Sequence, residues 1–367
     1  MSMRVLCITN HSDRPEAETI IGLKKRGVEI QVLCPESSPH FKRFSEAGVP
    51  VTHLKLSSRI DLSSIRFIRR FIEEQKFDVL HLFNNRAVSN GILAAKKLPV
   101  KIIAYRGTVA NVGFFDPGSW MTYLHPRVDR IICVSEAVRD YFLKMKWLWL
   151  RFPAEKPITV YKGHDLTWYT QTPGNLNSFG VPKDAFVVGC TGRYRPHKGI
   201  HVLVDAMQYL PKDLPVHLLL IGEMNAPALH RLIRKNSNAQ RIHLTGYRTD
   251  APALQAACSV TVLPALKREG LPKVVIEAMA YGVPPIVTDA GGSHELIEDG
   301  VSGLVVKAGD AKQIAEAILA LYHDPARRNA MGRNARIRID TCFRLDKTIA
   351  QTLDVYKNCL EPILKMT

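Results

Sequence analysis

The chain has 367 residues, 46% of them hydrophobic, with 50 Lys+Arg against 34 Asp+Glu and a formal charge of +16. That length exceeds one ordinary core and predicts two domains of roughly 150–200 residues. The balance of apolar and charged residues excludes disordered, collagenous and low-complexity classes, and no run of about 18 apolar residues is present to span a membrane.

In chain order, MRVLCIT (3–9) reads as a strand, AETIIGLKKRG as a helix stopped by Gly27, and VEIQVLC (28–34) as the next strand. FDVLHLF (77–83), KIIAY (101–105) and RIICVS (130–135) continue the series. Residues 163–184 are rich in Gly, Pro, Asn, Thr and Ser and read as a linker. The alternation then restarts with AFVVGCTG (185–192), VHLLLIGE (216–223), IHLTGY (242–247), VTVLPA (260–265), PPIVTDA (284–290) and GLVVK (303–307). Strands this uniformly apolar, separated by helical patterns, predict parallel sheets covered on both faces. The expected architecture is therefore two doubly wound α/β domains in tandem, with ligands beyond the carboxyl ends of the strands, in the cleft between the domains.

The opening MSMRVLCITNHSD has too short an apolar run for a secretory signal, so a cytosolic location is expected. Cys7, Cys34, Cys133, Cys190, Cys258, Cys342 and Cys359 are widely spaced, odd in number and free of C-x-x-C. They are expected to be buried, reduced and remote from any metal. The basic excess suits nucleic acid, an anionic membrane or phosphorylated ligands. Residues 1–170 hold 26 Lys+Arg and 16 Asp+Glu, a net of +10, and the remainder holds 24 against 18, a net of +6.

Two segments carry the chemistry. Arg193 and Lys198 lie in GRYRPHKG (192–199), on a strand-to-helix loop. Cations there, with the free N–H groups of a helix start, suit a diphosphate, although basic loops are common on solvated surfaces. In EGLPKVVIE (269–277), Glu269 precedes a Gly-Leu-Pro turn and Glu277 falls one turn into the following helix. Two carboxylates so placed can face one ligand and accept hydrogen bonds from sugar hydroxyls. A lone Glu277 would otherwise simply cap or salt-bridge its helix.

These segments resemble the retaining glycosyltransferases of family 4, which have the GT-B fold. GRYRPHKG, IGE (221–223), EGLPKVVIE, AMAYGVPPIVTDAGGSHELIEDGVSGLVV (278–306) and SEAVRDYF (135–142) carry the resemblance, which covers nearly all of 185–340. It implies two Rossmann-like parallel-sheet domains facing a cleft: an acceptor domain over 1–170, a nucleotide-sugar domain over 171–342, and a last helix over 343–367 crossing back to the first domain. By resemblance, Arg193 and Lys198 hold the donor diphosphate and Glu277 the ribose. Glu269 and the N–H groups of Gly270, Leu271 and Lys273 meet the donor sugar. Gly192, Gly222 and Glu223 border the donor, with Tyr247 and Arg248 beside its base. Such enzymes use a UDP- or GDP-sugar and no cofactor or metal, and the sequence has no D-x-D between its strands. The acceptor implied is a saccharide or lipid-linked saccharide of lipopolysaccharide, exopolysaccharide or glycolipid type. GT-B epimerases and phosphorylases are the rival activities. Nucleic acid is not an expected partner, since no zinc finger, RNP or helix-turn-helix signature is present.

The first half departs from the family. Its first loop, Asn10-His11-Ser12-Asp13, lacks the usual Gly-Gly, and Arg106 stands where many relatives place a His, followed by Gly107. Asn10, His11, Arg106 and Gly107 are the acceptor-side candidates, Arg106 being expected to face phosphates or an acidic acceptor. His81 is read as a core histidine. The segment 138–152 reads as one helix with a core stripe and, opposite it, Leu143, Trp147 and Leu150 among Lys144, Lys146 and Arg151. That second face suits contact with an anionic membrane, which would place the enzyme peripherally on the cytoplasmic face of the inner membrane; a helix sandwiched inside the protein or at a dimer interface would show the same pattern. A second basic stretch, 65–77, sets Arg66, Arg69 and Arg70 opposite an Ile/Phe arc. Residues 342–364 read as the last helix, with Ile349, Leu353, Tyr356 and Leu360 apolar.

Overall fold

The computed structural model describes residues 2–361, which fall into two compact units. The first comprises the chain up to Gly163 together with the stretch from Arg344 onward; the second comprises His164–Phe343.

In the first unit the strands are β1 (Arg4–Ile8), β2 (Glu29–Cys34), β3 (Val51–His53), β4 (Val79–Leu82), β5 (Lys101–Arg106), β6 (Arg130–Cys133), the hairpin pair β7 (Lys146–Trp147) and β8 (Leu150–Arg151), and β9 (Pro157–Thr159). Seven of them form one parallel sheet in the order β3-β2-β1-β4-β5-β6-β9. Val5, Val32, Val79 and Ile103 are buried in its core, as a sheet covered on both faces requires. The short strands β3 and β9 had no signal in the sequence.

The second unit has β10 (Phe186–Thr191), β11 (Val216–Ile221), β12 (Ile242–Leu244), β13 (Val260–Leu263), β14 (Pro285–Thr288) and β15 (Leu304–Val306), all parallel, in the order β12-β11-β10-β13-β14-β15. In both sheets the strand order reverses beside the first strand of the unit. The carboxyl edge at such a reversal is the usual ligand position in doubly wound sheets.

Residues expected to form a linker instead join the second unit. Leu176 and Val181 bury against Val187 and Leu219, and Tyr169 packs edge-on against Tyr281 at 5.7 Å. The turn-rich composition conceals these few apolar anchors, and the unit boundary falls at Gly163/His164.

The last helix, Leu345–Leu360, packs on the first unit and buries Ile349, Val355, Tyr356 and Cys359. Each large side chain removed from water there stabilises by about 1.5–3 kcal/mol. It is separated from the helix Pro325–Cys342 by Phe343 and Arg344, and the part of the expected helix beyond 361 lies outside the described residues.

The segment 138–152 is not one helix. The helix Glu136–Leu143 ends there, and residues 146–151 form the β7–β8 hairpin. Only Val138 and Phe142 on the helix, and Phe152 beyond the hairpin, reach the core; Phe152 packs on Phe142 at 5.0 Å. Met145 and Trp149 find no buried position that would repay a continued helix. The expected second face of Leu143, Trp147 and Leu150 therefore does not exist as a helix face. In the basic stretch 65–77, Arg69 pairs with Glu73 at 3.0 Å and Arg70 with Glu74 at 2.5 Å, while Arg66 is exposed. Cys342 is exposed, against expectation, while the other six cysteines are buried thiols. No helix among the described residues is long and apolar enough to cross a membrane.

Candidate active site

In the second unit the two loops at the strand-order reversal follow β10 and β13. The first carries Arg193 and Lys198, the second Glu269. They meet: Lys198 Nζ lies 2.6 Å from Glu269 Oε1, with the carboxylate almost fully buried and the ammonium about two-thirds covered. Leu266 N donates to His197 O at 2.8 Å and ties the loops together. Arg193 is exposed and makes no ion pair among the described residues, so its guanidinium is available to an anion.

The Glu269 loop is held under constraint. Arg268 adopts φ +73, a conformation costly for a side chain that glycine does not replace. Gly291 (φ +61) packs directly on the Glu269 backbone, where a Cβ would collide with the Glu269 carbonyl, and Gly292 N donates to that carbonyl at 3.1 Å. After Glu269 the chain turns through Gly270-Leu271-Pro272 into the helix Lys273–Ala280. That helix has no side-chain cap, and among the described residues no hydrogen bond is made by the N–H groups of Gly270, Leu271, Lys273 and Val274. Four free donors beside a buried carboxylate make a receptor for an oxygen-rich, negatively charged group. Glu277, one turn on, is buried and pairs with Lys273 Nζ at 3.1 Å.

Gly192 and Gly222 form the floor of the neighbouring loops. Gly222 has φ +121, and a Cβ on it would strike the Gly192 carbonyl. Gly192 N bonds to Ile221 O, and Gly222 pairs with Gly246, which brings the Tyr247 loop alongside. Glu223 and Tyr247 are exposed there. Arg248, on the same loop, is engaged by Asp250 through two bonds of 2.8 Å and lies over the Phe179 ring. Two hydroxyls that sequence reasoning missed, Thr191 Oγ1 at the end of β10 and Ser293 Oγ just past Gly291, are buried with no hydrogen-bond partner among the described residues. Neither residue type stands out in a sequence; only burial does.

Residues 17–168 match the family described as Glycosyltransferase Family 4, and residues 173–338 match Glycosyl transferases group 1. The chain is 31% identical over 254 residues to the lipopolysaccharide core biosynthesis mannosyltransferase LpsB of Rhizobium meliloti, spanning 66% of this chain and 69% of that one. The chain belongs to glycosyltransferase family 4. It is also 23% identical over 350 residues to the Escherichia coli UDP-Gal:alpha-D-GlcNAc-diphosphoundecaprenol alpha-1,3-galactosyltransferase, covering 89% of this chain and 88% of that protein. Among solved structures, Anabaena HepE in complex with UDP matches with a TM-score of 0.80 at 22% identity, covering 98% of this chain and 100% of that one, and supports the GT-B fold.

In the first unit of this glycosyltransferase, the structure redistributes the candidates. Asn10 accepts from Leu56 N and donates to Leu56 O at 3.0 Å, a loop-pinning role. His11 and Gly107 are exposed. Arg106 is buried: its Nε donates to Thr108 O at 3.0 Å, a terminal nitrogen donates to Ala110 O, and the guanidinium lies 4.9 Å over the Tyr123 ring. It therefore braces its own loop, which contains Ala110 and Asn111 at positive φ, and does not face a ligand as expected.

A polar cluster there escaped the sequence. Lys162 Nζ bonds Asp13 Oδ2 and Glu16 Oε1, each at 2.7 Å, across the helix cap formed by those two acids. Burial pulls the Lys162 ammonium down, but Tyr105, Glu16 and Asp13 outweigh that and hold its pKa well above the ordinary value. Burial, opposed by Lys162, raises that of Glu16. Beside them a cavity of about 20 Å³ is lined by His81, Tyr105 and Lys162. His81 is a buried core residue bonded through Nδ1 to Tyr356 Oη at 2.6 Å, and burial lowers its pKa to about 3.

Proposed function

We propose that this glycosyltransferase is retaining and independent of metal. It takes a hexose-type sugar from a UDP- or GDP-sugar and transfers it to a saccharide or lipid-linked saccharide during lipopolysaccharide, exopolysaccharide or glycolipid synthesis, on the cytoplasmic face of the inner membrane. The observation that carries the reading is the convergence of Lys198, Glu269 and the unbonded N–H groups of 270–274 at the carboxyl edge of β10 and β13. The relatives named above support the donor and acceptor classes.

As the anomeric C–O bond breaks, positive character grows on the sugar and negative charge on the leaving diphosphate. Arg193 and Lys198 offset that charge, and the free N–H groups add fixed donors that need no rearrangement during reaction. Glu269 and Glu277 accept hydrogen bonds from the sugar and ribose hydroxyls. Gly192, Gly222, Glu223 and Tyr247 border the nucleotide. The acceptor hydroxyl attacks the face that the phosphate leaves, and a phosphate oxygen takes its proton, so no protein base is required. His11 and Gly107 receive the acceptor. No group of three or more metal-ligating side chains is found among the described residues.

A panel of UDP-, GDP- and ADP-sugars tests this by thermal shift, followed by product analysis in the presence of EDTA. The expected result is stabilisation by one donor class and transfer with an α-linked product from an α-linked donor. A β-linked product, activity lost to EDTA, or no stabilising donor would overturn the corresponding part.

A further inference from the structure

We propose that the β7–β8 hairpin, with Phe115 beside it, is an interfacial anchor that seats the first unit on an anionic lipid bilayer. The hairpin is closed by the Trp147–Leu150 pair, and its two-residue loop is Leu148-Trp149. Such loops normally hold Gly or Asn, because φ turns positive there. Here Leu148 occupies φ +51 and the loop exposes two large apolar side chains: Leu148 is 69% and Trp149 86% exposed. Trp147, 47% exposed, meets the ring of Phe115 edge-on at 5.2 Å, and Phe115 itself is 78% exposed. Scattered single apolar residues are ordinary on a protein surface; here the exposed Phe115–Trp147 pair adjoins an exposed Leu148-Trp149 tip, a clustering that marks a contact.

The group is fixed in place. Tyr141 Oη donates to Val112 O at 2.6 Å, joining the helix before the hairpin to the loop that carries Phe115. Phe152 N bonds back to Met145 O and its ring is buried on Phe142. A two-stranded hairpin on its own is marginal, so these ties hold an apolar tip out in solvent.

Charge decides what covers it. Lys146 lies directly opposite Arg151 across the strands, and neither forms an ion pair among the described residues. Like charges facing each other destabilise a hairpin, unless anions lie against them. The unit as a whole carries 30 Lys+Arg and 18 Asp+Glu, a net of +12. A symmetric dimer through this patch would set the same cations against their own copies and is disfavoured. Trp side chains settle at the boundary between headgroups and acyl chains, with Lys and Arg reaching the phosphates.

The test is co-sedimentation of the full chain with vesicles of phosphatidylcholine alone or mixed with phosphatidylglycerol, at low and high salt. Wild type is expected to pellet with the anionic vesicles and to lose binding as salt rises. Leu148→Ser with Trp149→Ser should lower partitioning at least about tenfold, while donor thermal shift and the far-ultraviolet circular dichroism stay unchanged. Lys146→Gln with Arg151→Gln should lower it by about fivefold per charge and remove the preference for the anionic lipid. Wild type left in the supernatant, unchanged pelleting of the tip variant, or a wild-type dimer dispersed by the tip substitutions in sedimentation velocity would each overturn the anchor. Vesicle binding requires no transfer activity, so its outcome is independent of the donor and acceptor assignment.

Discussion

Lys198 and Glu269, 71 residues apart in sequence, are joined by a 2.6 Å ion pair at the carboxyl edge of the second sheet. Under the proposed mechanism, this ammonium and the N–H groups of the Glu269 loop face the charge that grows on the leaving diphosphate. Lys198→Ala is expected to lower kcat by about two to three decades, the scale of losing one charge-stabilising group. Arg193→Ala should do the same. Steady-state kinetics on both variants measures it; near-wild-type turnover would remove these residues from the mechanism.

Gly291 sets where Glu269 stands. Gly291→Ala would put a methyl group into the Glu269 carbonyl at φ +61, so it should cost about 1–3 kcal/mol of stability and depress kcat beyond that loss. Gly300, also at positive φ but with open space around it, is the control: Gly300→Ala should cost stability alone. Melting curves and kinetics on the two variants separate strain from misplacement of the carboxylate.

Arg106 braces a loop. Arg106→Ala strands the Thr108 and Ala110 carbonyls and leaves the Tyr123 face uncovered, which should cost about 2–4 kcal/mol. Donor binding in the second unit should be unaffected. Chemical denaturation read beside a donor titration checks this, and a variant of normal stability that selectively loses acceptor KM would restore Arg106 to substrate.

Lys162 neutralises two acids at a helix start. Lys162→Met removes it and leaves Asp13 and Glu16 facing each other in a largely buried setting, with an expected loss of about 3–5 kcal/mol. Adding Glu16→Gln should recover part of that loss. Denaturation of the single and double variants tests the coupling, and additive effects would show that the three charges act independently.

Acid should weaken the first unit through His81. Its folded pKa is depressed to about 3 by burial, while an unfolded histidine titrates near 6.5. Between those values the unfolded chain binds more protons, so stability falls as pH drops, by up to about 1.4 kcal/mol per pH unit. His217, lowered to about 4 by burial and then by His243 and Arg241, tilts the second unit the same way. His81→Gln should flatten the pH dependence of unfolding between 6.5 and 4; an unchanged slope would assign the acid sensitivity elsewhere.

Much of this was legible in the residues. Runs such as FVVGCT and VHLLLI announce central parallel strands, because a strand covered on both faces has no polar side to show. The loops after β10 and β13 stood out for a related reason, as basic and acidic segments where apolar strands end, and the fold brings their Lys198 and Glu269 together. The three-residue strands β3 and β9 left no such mark, and Asp13, Glu16 and Lys162 could not be grouped, since Lys162 lies 149 residues beyond Asp13.

The charge of +16 illustrates the division. Sequence alone determined its amount, its excess in the first half, and the basic loop ahead of a helix, because composition and local order are properties of the chain itself. Tertiary structure decided what each charge does. Lys198 meets a carboxylate because β10 and β13 are neighbours in the sheet; Arg106 turns inward to carbonyls; Arg69 and Arg70 are neutralised on their own helix; Lys146 and Arg151 are left facing solvent beside two tryptophans. Salt screens exposed charges beyond about 8–10 Å at ordinary ionic strength, so their meaning depends on distances that only the folded chain sets.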